Sequence, residues 1–481
     1  MKTTLKIRTL TAKTVAGIVG GRVELYGEGS EDAEIFSVVT SSSEADAGSM
    51  FCAIKGTKAD GADFIAEAAK QGAVCALTTR VPDHVKESGK SFSAVIVDDV
   101  ILSIGKLAGW YRDLSSAKFV AVTGSVGKTT TKEFIAAVAS VSFKTHKTEG
   151  NHNNELGLPL ALLGIAPDDE VSVMEMGMSA LGEIEYLSKL VKPDIALITN
   201  IGTSHLATLG SRENICRAKL EICEGLRDGG ILLFNADEPL LFESAKTLDK
   251  NVRLMSIHNR EGDYRALNIR TGSDNIIFDM IYDRKAVTNI EIPVLGKHNV
   301  YNALAAYSVG VMLGMKDELI RRGLMNFAGA EMRQRIYDVS GITVIDDCYN
   351  ASPESMRAAI DVLSSIASKR SLRPMALLGD MLELGDYTRL MHDHLGQYAA
   401  QMKLAKLFCY GLQSDIVAEA AIKKGIRAEN VFVCLDTKNP QVMADMILDV
   451  AGEGDILLVK ASRAVHAEAV IECLKKGRDG R

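Results

Sequence analysis

The run Thr123-Gly124-Ser125-Val126-Gly127-Lys128-Thr129-Thr130 sets glycines, a lysine and hydroxyl side chains in register to hold a phosphate. The apolar run Phe119 to Val122 before it reads as a strand, and the stretch from Thr129 to about Val141 reads as a helix. A phosphate loop needs that context. Glycines let backbone N–H groups turn toward an anion, the helix N-terminus adds positive potential, Lys128 supplies a full charge, and the Thr129 hydroxyl can ligate magnesium. The predicted chemistry is the binding and cleavage of ATP with Mg2+. The loop is a short Gly-Xaa-Xaa-Gly-Lys-Thr form, since Val122 stands where longer phosphate loops begin with glycine. The bland alternative is a glycine turn before a helix, and Lys-Thr in register weighs against it.

Other candidates are less self-sufficient. Glu175 and His205 fall just beyond predicted strand ends, the edge where open α/β sheets bind ligands. Each alone reads as a surface carboxylate or a loop histidine, but together they suit a magnesium ion. Lys219 falls at helical spacing among Ile215, Ile222, Cys223 and Leu226 on a helix expected over 212–226. A lysine in an apolar stripe commonly snorkels outward, and the residues by themselves favour that. Burial would instead lower its pKa and leave a neutral amine able to take up carbon dioxide as a carbamate, an anionic oxygen ligand for magnesium. Asn299 and Asn302 share one face of a helix running to Gly314 and could meet an adenine edge. Helix capping by Asn299 fits equally well. Asp346 and Asp347 end a predicted strand, placed for a ribose or an amine, or merely solvated in a loop. Ser352-Pro353 reads as an N-cap with proline in the first turn.

The elements that must position these residues alternate strand and helix. The length of 481 residues exceeds one core, and 47% hydrophobic with 24% charged residues excludes a disordered chain. A small α/β domain is predicted over 1–117, a central P-loop ATPase-type domain with a parallel or mixed sheet over 118–329, and a Rossmann-like doubly wound domain over 330–481. Strands are expected at Val171 to Met174, Ile195 to Ile198, Gly230 to Phe234, Ile342 to Ile345, Met375 to Leu378, Leu407 to Tyr410, Val431 to Leu435 and Ile456 to Val459. A formal charge of -7 offers no basic field for nucleic acid. The eight cysteines form no Cys-Xaa-Xaa-Cys pair and are expected as free thiols. No apolar signal core follows Met1, and no segment approaches the roughly 20 apolar residues of a membrane span. A cytoplasmic monomer without membrane insertion is expected.

Taken with Gly150-Asn151-His152-Asn153-Asn154, Glu175, Asn200-Ile201 with His205, Ala218-Lys219 and Gly296-Lys297-His298-Asn299 with Asn302, the phosphate loop closely resembles that of the Mur ligases, over nearly the whole chain. Asp346 to Pro353, Gly379 to Gly385 and Lys460-Ala461-Ser462-Arg463 resemble the branch that adds D-alanyl-D-alanine to UDP-N-acetylmuramoyl-tripeptide. The resemblance implies a UDP-sugar domain, a central ATPase and a closing third domain. It places Lys219 at a position carbamylated in the family, reversing the preference for snorkelling. It also implies magnesium ligation by Thr129, Glu175, His205 and the carbamate. Asn299 and Asn302 would face adenine, Arg333 the phosphates and Asp347 the ribose. Ser42, Ser43, Asn151, Asn154, Tyr349, Asn350, Lys460 and Arg463 are expected to contact the substrates. Two departures stand out: Ser41-Ser42-Ser43 replaces the usual Asp-Ser-Arg of the uridine site, and Ala461 replaces a glycine. The implied reaction activates a carboxylate as an acyl phosphate, which the dipeptide amine then attacks. A sister ligase for another amine, such as a folylpolyglutamate synthase-like enzyme, and a P-loop switch ATPase are the alternatives.

Overall fold

Short β-branched and aromatic runs with both faces covered become parallel strands here, and the helices between them supply the cover. The computed structural model describes residues 1–329 and 332–477. The expected start of the third domain at 330 and its end at 481 lie outside the described residues. Three large sheets organise the chain.

The first sheet runs Lys2–Thr4, Ser37–Val39, Ser49–Cys52, Cys75–Thr78, Phe92–Ile96, Arg22–Tyr26, with a parallel centre and antiparallel edges. The second has nine strands. Its parallel part runs Thr145–Lys147, Val171–Glu175, Lys118–Thr123, Ile195–Ile198, Ile231–Asn235, Asn251–Ser256, Tyr264–Thr271. Ile276–Tyr282 and Lys285–Ile292 extend it antiparallel. Sequence reasoning missed that extension, although Ile276–Tyr282 alternates buried and half-buried residues with period two, the mark of a one-sided strand. The third sheet runs Arg335–Val339, Ile342–Asp346, Asp455–Lys460, Arg373–Gly379, Lys406–Tyr410, Val431–Cys434, parallel but for its first pair. Its longest helix, Pro353–Arg370, starts as predicted: Ser352 caps it, reciprocated by Ser355, with proline in the first turn.

The helix expected over 212–226 is shorter than its pattern. It spans Arg212–Leu220, and Glu221–Gly225 tightens into a 3-10 turn. Close packing is the reason: a Cβ on Gly225 would lie 2.0 Å from the Ser188 carbonyl oxygen, in helix Glu183–Val191.

The first two sheets share one continuous core through helix Val100–Asp113. From it Arg112, 1% exposed, donates Nε to Val191 O at 2.6 Å and Nη2 to Lys192 O at 3.0 Å. Its guanidinium lies 4.1 Å from the Phe119 ring centre. It thus satisfies the carbonyl end of helix Glu183–Val191 from the neighbouring unit. Arg112→Ala is expected to cost about 2 to 4 kcal/mol in chemical denaturation, because two carbonyls lose their donor and a void opens.

Candidate active site

The strand Lys118–Thr123 sits where the second sheet's connectivity reverses: the chain goes to one side for Thr145–Lys147 and Val171–Glu175, then crosses to Ile195–Ile198. Such a switch point opens a crevice beyond the strands' carboxyl ends. The phosphate loop follows Lys118–Thr123 and helix Lys128–Ala139 follows the loop. Gly124 has φ +149°, and a Cβ there would lie 1.9 Å from Thr199 Oγ1. Gly127 has φ +86°, with Asn302 Oδ1 2.9 Å from a Cβ. Only glycine fits either place. Asn200 clamps the loop, accepting from Val126 N at 3.0 Å and donating to Val126 O at 3.0 Å, and the Thr199 hydroxyl donates to the same carbonyl at 2.7 Å. Thr123 Oγ1 donates to Met176 O at 2.9 Å.

Lys128 Nζ donates to Gly124 O at 2.9 Å. Burial chiefly pushes its pKa down; Glu175 opposes this and Arg333 adds to it. Glu175, 1% exposed, ends the neighbouring strand, and its Oε1 accepts from Thr129 Oγ1 at 3.1 Å and from Asn153 Nδ2 at 2.8 Å. Among the described residues its Oε2 and the Ser125 hydroxyl are buried without a hydrogen-bond partner. Arg333 donates Nη2 to Thr129 Oγ1 at 3.1 Å and lies 4.3 Å over the Tyr349 ring.

Lys219 does not snorkel. It is 1% exposed beside buried Ile215, Cys216 and Ala218, with no carboxylate within ion-pair distance among the described residues. Burial first, and then repulsion from Lys128, drives its pKa well below the ordinary lysine value. The stem cannot reach water because the helix face it occupies is turned into the shared core. Asn299 does not cap its helix either: the helix spans His298–Met312, and Asn299 lies inside it. It donates to Leu295 O at 2.7 Å and accepts from Asn302 Nδ2 at 2.9 Å, while Asn302 Oδ1 accepts from Thr131 Oγ1 at 2.9 Å. The two amides share one helix face, as their spacing predicted, and hydrogen-bond to each other.

The third sheet turns its carboxyl edge toward the same crevice. Asp347 follows strand Ile342–Asp346 and pairs with Lys460 of the adjacent strand at 2.8 Å. Lys460 also donates to Asn350 O at 2.8 Å. Contacts cross from one unit to the other. Glu354, in the first turn of helix Pro353–Arg370, accepts from Thr203 N at 3.1 Å and Thr203 Oγ1 at 3.0 Å. Glu383 Oε2 stands 2.7 Å from His205 Nδ1, a contact that holds the Glu383 carboxyl below the ordinary range.

Between these edges lies a cavity of about 1220 Å3 lined by Lys128, Glu175, His205, Asn299, Asn302, Arg333, Asp347, Tyr349, Asn350, Asn154 and Lys460 among others. That exceeds the roughly 300 to 1,000 Å3 of one small-molecule pocket, so two ligands can share it. Thr129, Lys219 and Asn151 are not among the lining residues. Ser42 and Ser43 lie on a turn of the first unit, where the Ser42 hydroxyl meets Glu67 at 3.0 Å, and are not among the lining residues. Arg463 is exposed and pairs with Glu468 at 3.0 Å. Among the described residues no group of three or more His, Cys, Asp or Glu side chains gathers to hold a metal. Magnesium does not need one, because it keeps waters and takes one or two carboxylates plus phosphate oxygens. The partnerless Glu175 Oε2 beside the Thr129 hydroxyl fits that pattern. The sequence reading assigned no role to Lys132, Thr203 or Glu354. For Lys132 a signal existed, its position one turn beyond Lys128 on the same helix face.

Three family models match in order: "Mur ligase family, catalytic domain" over 34–117, "Mur ligase middle domain" over 122–310 and "Mur ligase, glutamate ligase domain" over 332–463. The UDP-N-acetylmuramoyl-tripeptide--D-alanyl-D-alanine ligase of Bacillus subtilis is 36% identical over 466 residues, 96% of this chain and 98% of that protein. A crystal structure of MurF from Acinetobacter baumannii superposes with a TM-score of 0.85 at 30% identity, covering 98% of this chain and 99% of that one. MurF ligase from Thermotoga maritima in complex with ADP gives 0.77 at 27% identity, over 91% and 97%. Shared sheets, shared loop and shared sequence over nearly the full length lead to one assignment: the chain belongs to the Mur ligase family.

Proposed function

We propose that this chain joins D-alanyl-D-alanine to UDP-N-acetylmuramoyl-tripeptide with cleavage of ATP, in the cytoplasmic synthesis of peptidoglycan precursors. The observation that carries the reading is the single cavity between the carboxyl edges of two sheets, with a complete phosphate loop on one wall and Asp347, Tyr349 and Lys460 on the other. Residues 1–117 would hold the UDP-sugar, 118–329 ATP, and 330–481 would close over both.

A carboxylate is a poor acyl donor, so amide formation at neutral pH needs activation. The tripeptide's terminal carboxylate attacks the γ-phosphate of ATP, ADP leaves, and an acyl phosphate forms. The loop's N–H groups and Lys128 bind the phosphates and offset charge gathering on the transferred group. Thr129, Glu175, His205 and a carbamate on Lys219 would hold magnesium, which when bound neutralises phosphate charge. For His205 this means giving up its contact with Glu383. Asn299 and Asn302 face the adenine and Asp347 the ribose. Asn151, Asn154, Tyr349, Asn350 and Arg463 position the peptide substrates, and Ser42 and Ser43 the uridine. The neutral dipeptide amine then attacks the acyl carbonyl, and phosphate departs. The Glu354–Thr203 contact keeps the units closed, which shields the acyl phosphate from water.

The test is phosphate release with UDP-N-acetylmuramoyl-tripeptide, comparing D-alanyl-D-alanine with single amino acids, and product mass read in parallel. Turnover with the dipeptide and a product heavier by one dipeptide less water is expected. Turnover with another amine instead points to a sister ligase, and hydrolysis without any acceptor to a switch ATPase.

A further inference from the structure

Lys132 is 0% exposed on helix Lys128–Ala139, and the reaction above gives it no task. Its ammonium donates to Thr148 O at 2.6 Å and Gly150 O at 3.1 Å. It stands 3.2 Å from Glu133 Oε1 and 3.7 Å from Glu175 Oε2. Thr148 returns to the same residue, its hydroxyl accepting from the Glu175 backbone N at 2.9 Å. Thr148 and Gly150 open the segment that carries Asn151, Asn153 and Asn154, and Asn153 holds the other Glu175 oxygen.

The distances separate two effects of one charge. A separation of 3.7 Å is too long for a hydrogen bond but short enough for strong attraction in a buried setting. Lys132 therefore offsets the burial of the Glu175 charge without occupying a lone pair of Oε2, the atom left partnerless. The two carbonyls hold the ammonium back at that distance. We propose that Lys132 is a positioning residue: it locks the Glu175 carboxylate, the phosphate-loop helix and segment 148–154 into one unit, presenting Oε2 free to a divalent cation and Asn151 and Asn154 to the acyl substrate. This rests on the magnesium reading above.

The test is calorimetric titration of the full-length protein with ADP, in the presence of Mg2+ and in chelator, alongside KM for the UDP-linked tripeptide. In Lys132→Gln, affinity for metal-free ADP is expected to stay within about twofold. The magnesium-dependent tightening is expected to fall by at least about tenfold, as when an outer partner of a metal ligand is lost, and KM for the tripeptide to rise. Lys132→Arg keeps the charge and tests the spacing. Its planar donors would reach Oε2 and occupy the lone pair, so the tightening falls there too, by at least about threefold. Either variant, folded by circular dichroism and retaining the full magnesium-dependent tightening, overturns the proposal. Absence of that tightening in the unmodified protein would instead remove the magnesium reading beneath it.

Discussion

Lys128→Met is expected to lower phosphate release by on the order of a thousandfold or more, the scale set by losing a cation that stabilises phosphoryl transfer. The fold should survive. Among the described residues the Lys128 ammonium hydrogen-bonds only to Gly124 O, and burial is the largest influence on it, lowering its pKa. A folded-state pKa below the unfolded value means that the protonated form costs stability at every pH below the folded pKa. The penalty fades as pH rises through the unfolded value, near 10.4. At neutral pH the melting midpoint of Lys128→Met should therefore equal or exceed that of the unmodified protein, with the difference shrinking toward high pH. A stable, inactive variant is what a lysine awaiting a phosphate predicts. Activity within tenfold of normal would remove Lys128 from the transition state.

Lys219→Met should follow, losing roughly 100- to 1,000-fold in kcat, as when one fixed charge partner is removed. Lys219→Arg should lose as much, because a guanidinium cannot take up carbon dioxide. Lys219→Met should not unfold the protein, since a lysine buried without a counter-charge contributes no stability through its charge, whereas Lys219→Arg, whose guanidinium cannot shed its proton, should be the less stable of the two. Burial first, and then repulsion from Lys128, lowers the Lys219 pKa well below the ordinary lysine value, which raises the share of the neutral, nucleophilic amine. Stripping carbon dioxide from the buffer should slow the unmodified enzyme, and bicarbonate should restore it, while both variants stay indifferent. Full activity in stripped buffer, with an intact-protein mass lacking one carbon dioxide, would end the carbamate reading.

Local features were legible in the chain. The Ser352 cap with Pro353 is specified by neighbours in sequence, because its hydrogen bonds close within a few residues; the loop from Gly124 to Thr129 was legible from its residue types, although Thr199 and Asn200 hold it from far along the chain. Strand cores survived to within a residue or two, the run expected from Gly230 starting at Ile231. The helix expected to Leu226 ended at Leu220 because Gly225 meets a helix more than thirty residues away, which no periodicity encodes. The strand Ile276–Tyr282 was written in the alternation and overlooked, while its hairpin partner Lys285–Ile292 does not keep a period of two.

By itself the sequence determined a glycine loop between a strand and a helix, which residues end the strands, and which family the motifs resemble. Only the tertiary structure decided the fate of Lys219: its helix turns that face into a core shared by two units, and desolvation leaves the ammonium no outlet. Only the fold placed Lys132 at 3.7 Å from Glu175, and Glu354 against Thr203 across 151 positions of chain. Hydrophobic periodicity reports which face is buried, whereas a charge's role depends on what stands opposite it. That partner is chosen by sheet order and domain closure, over separations at which residue spacing carries no information.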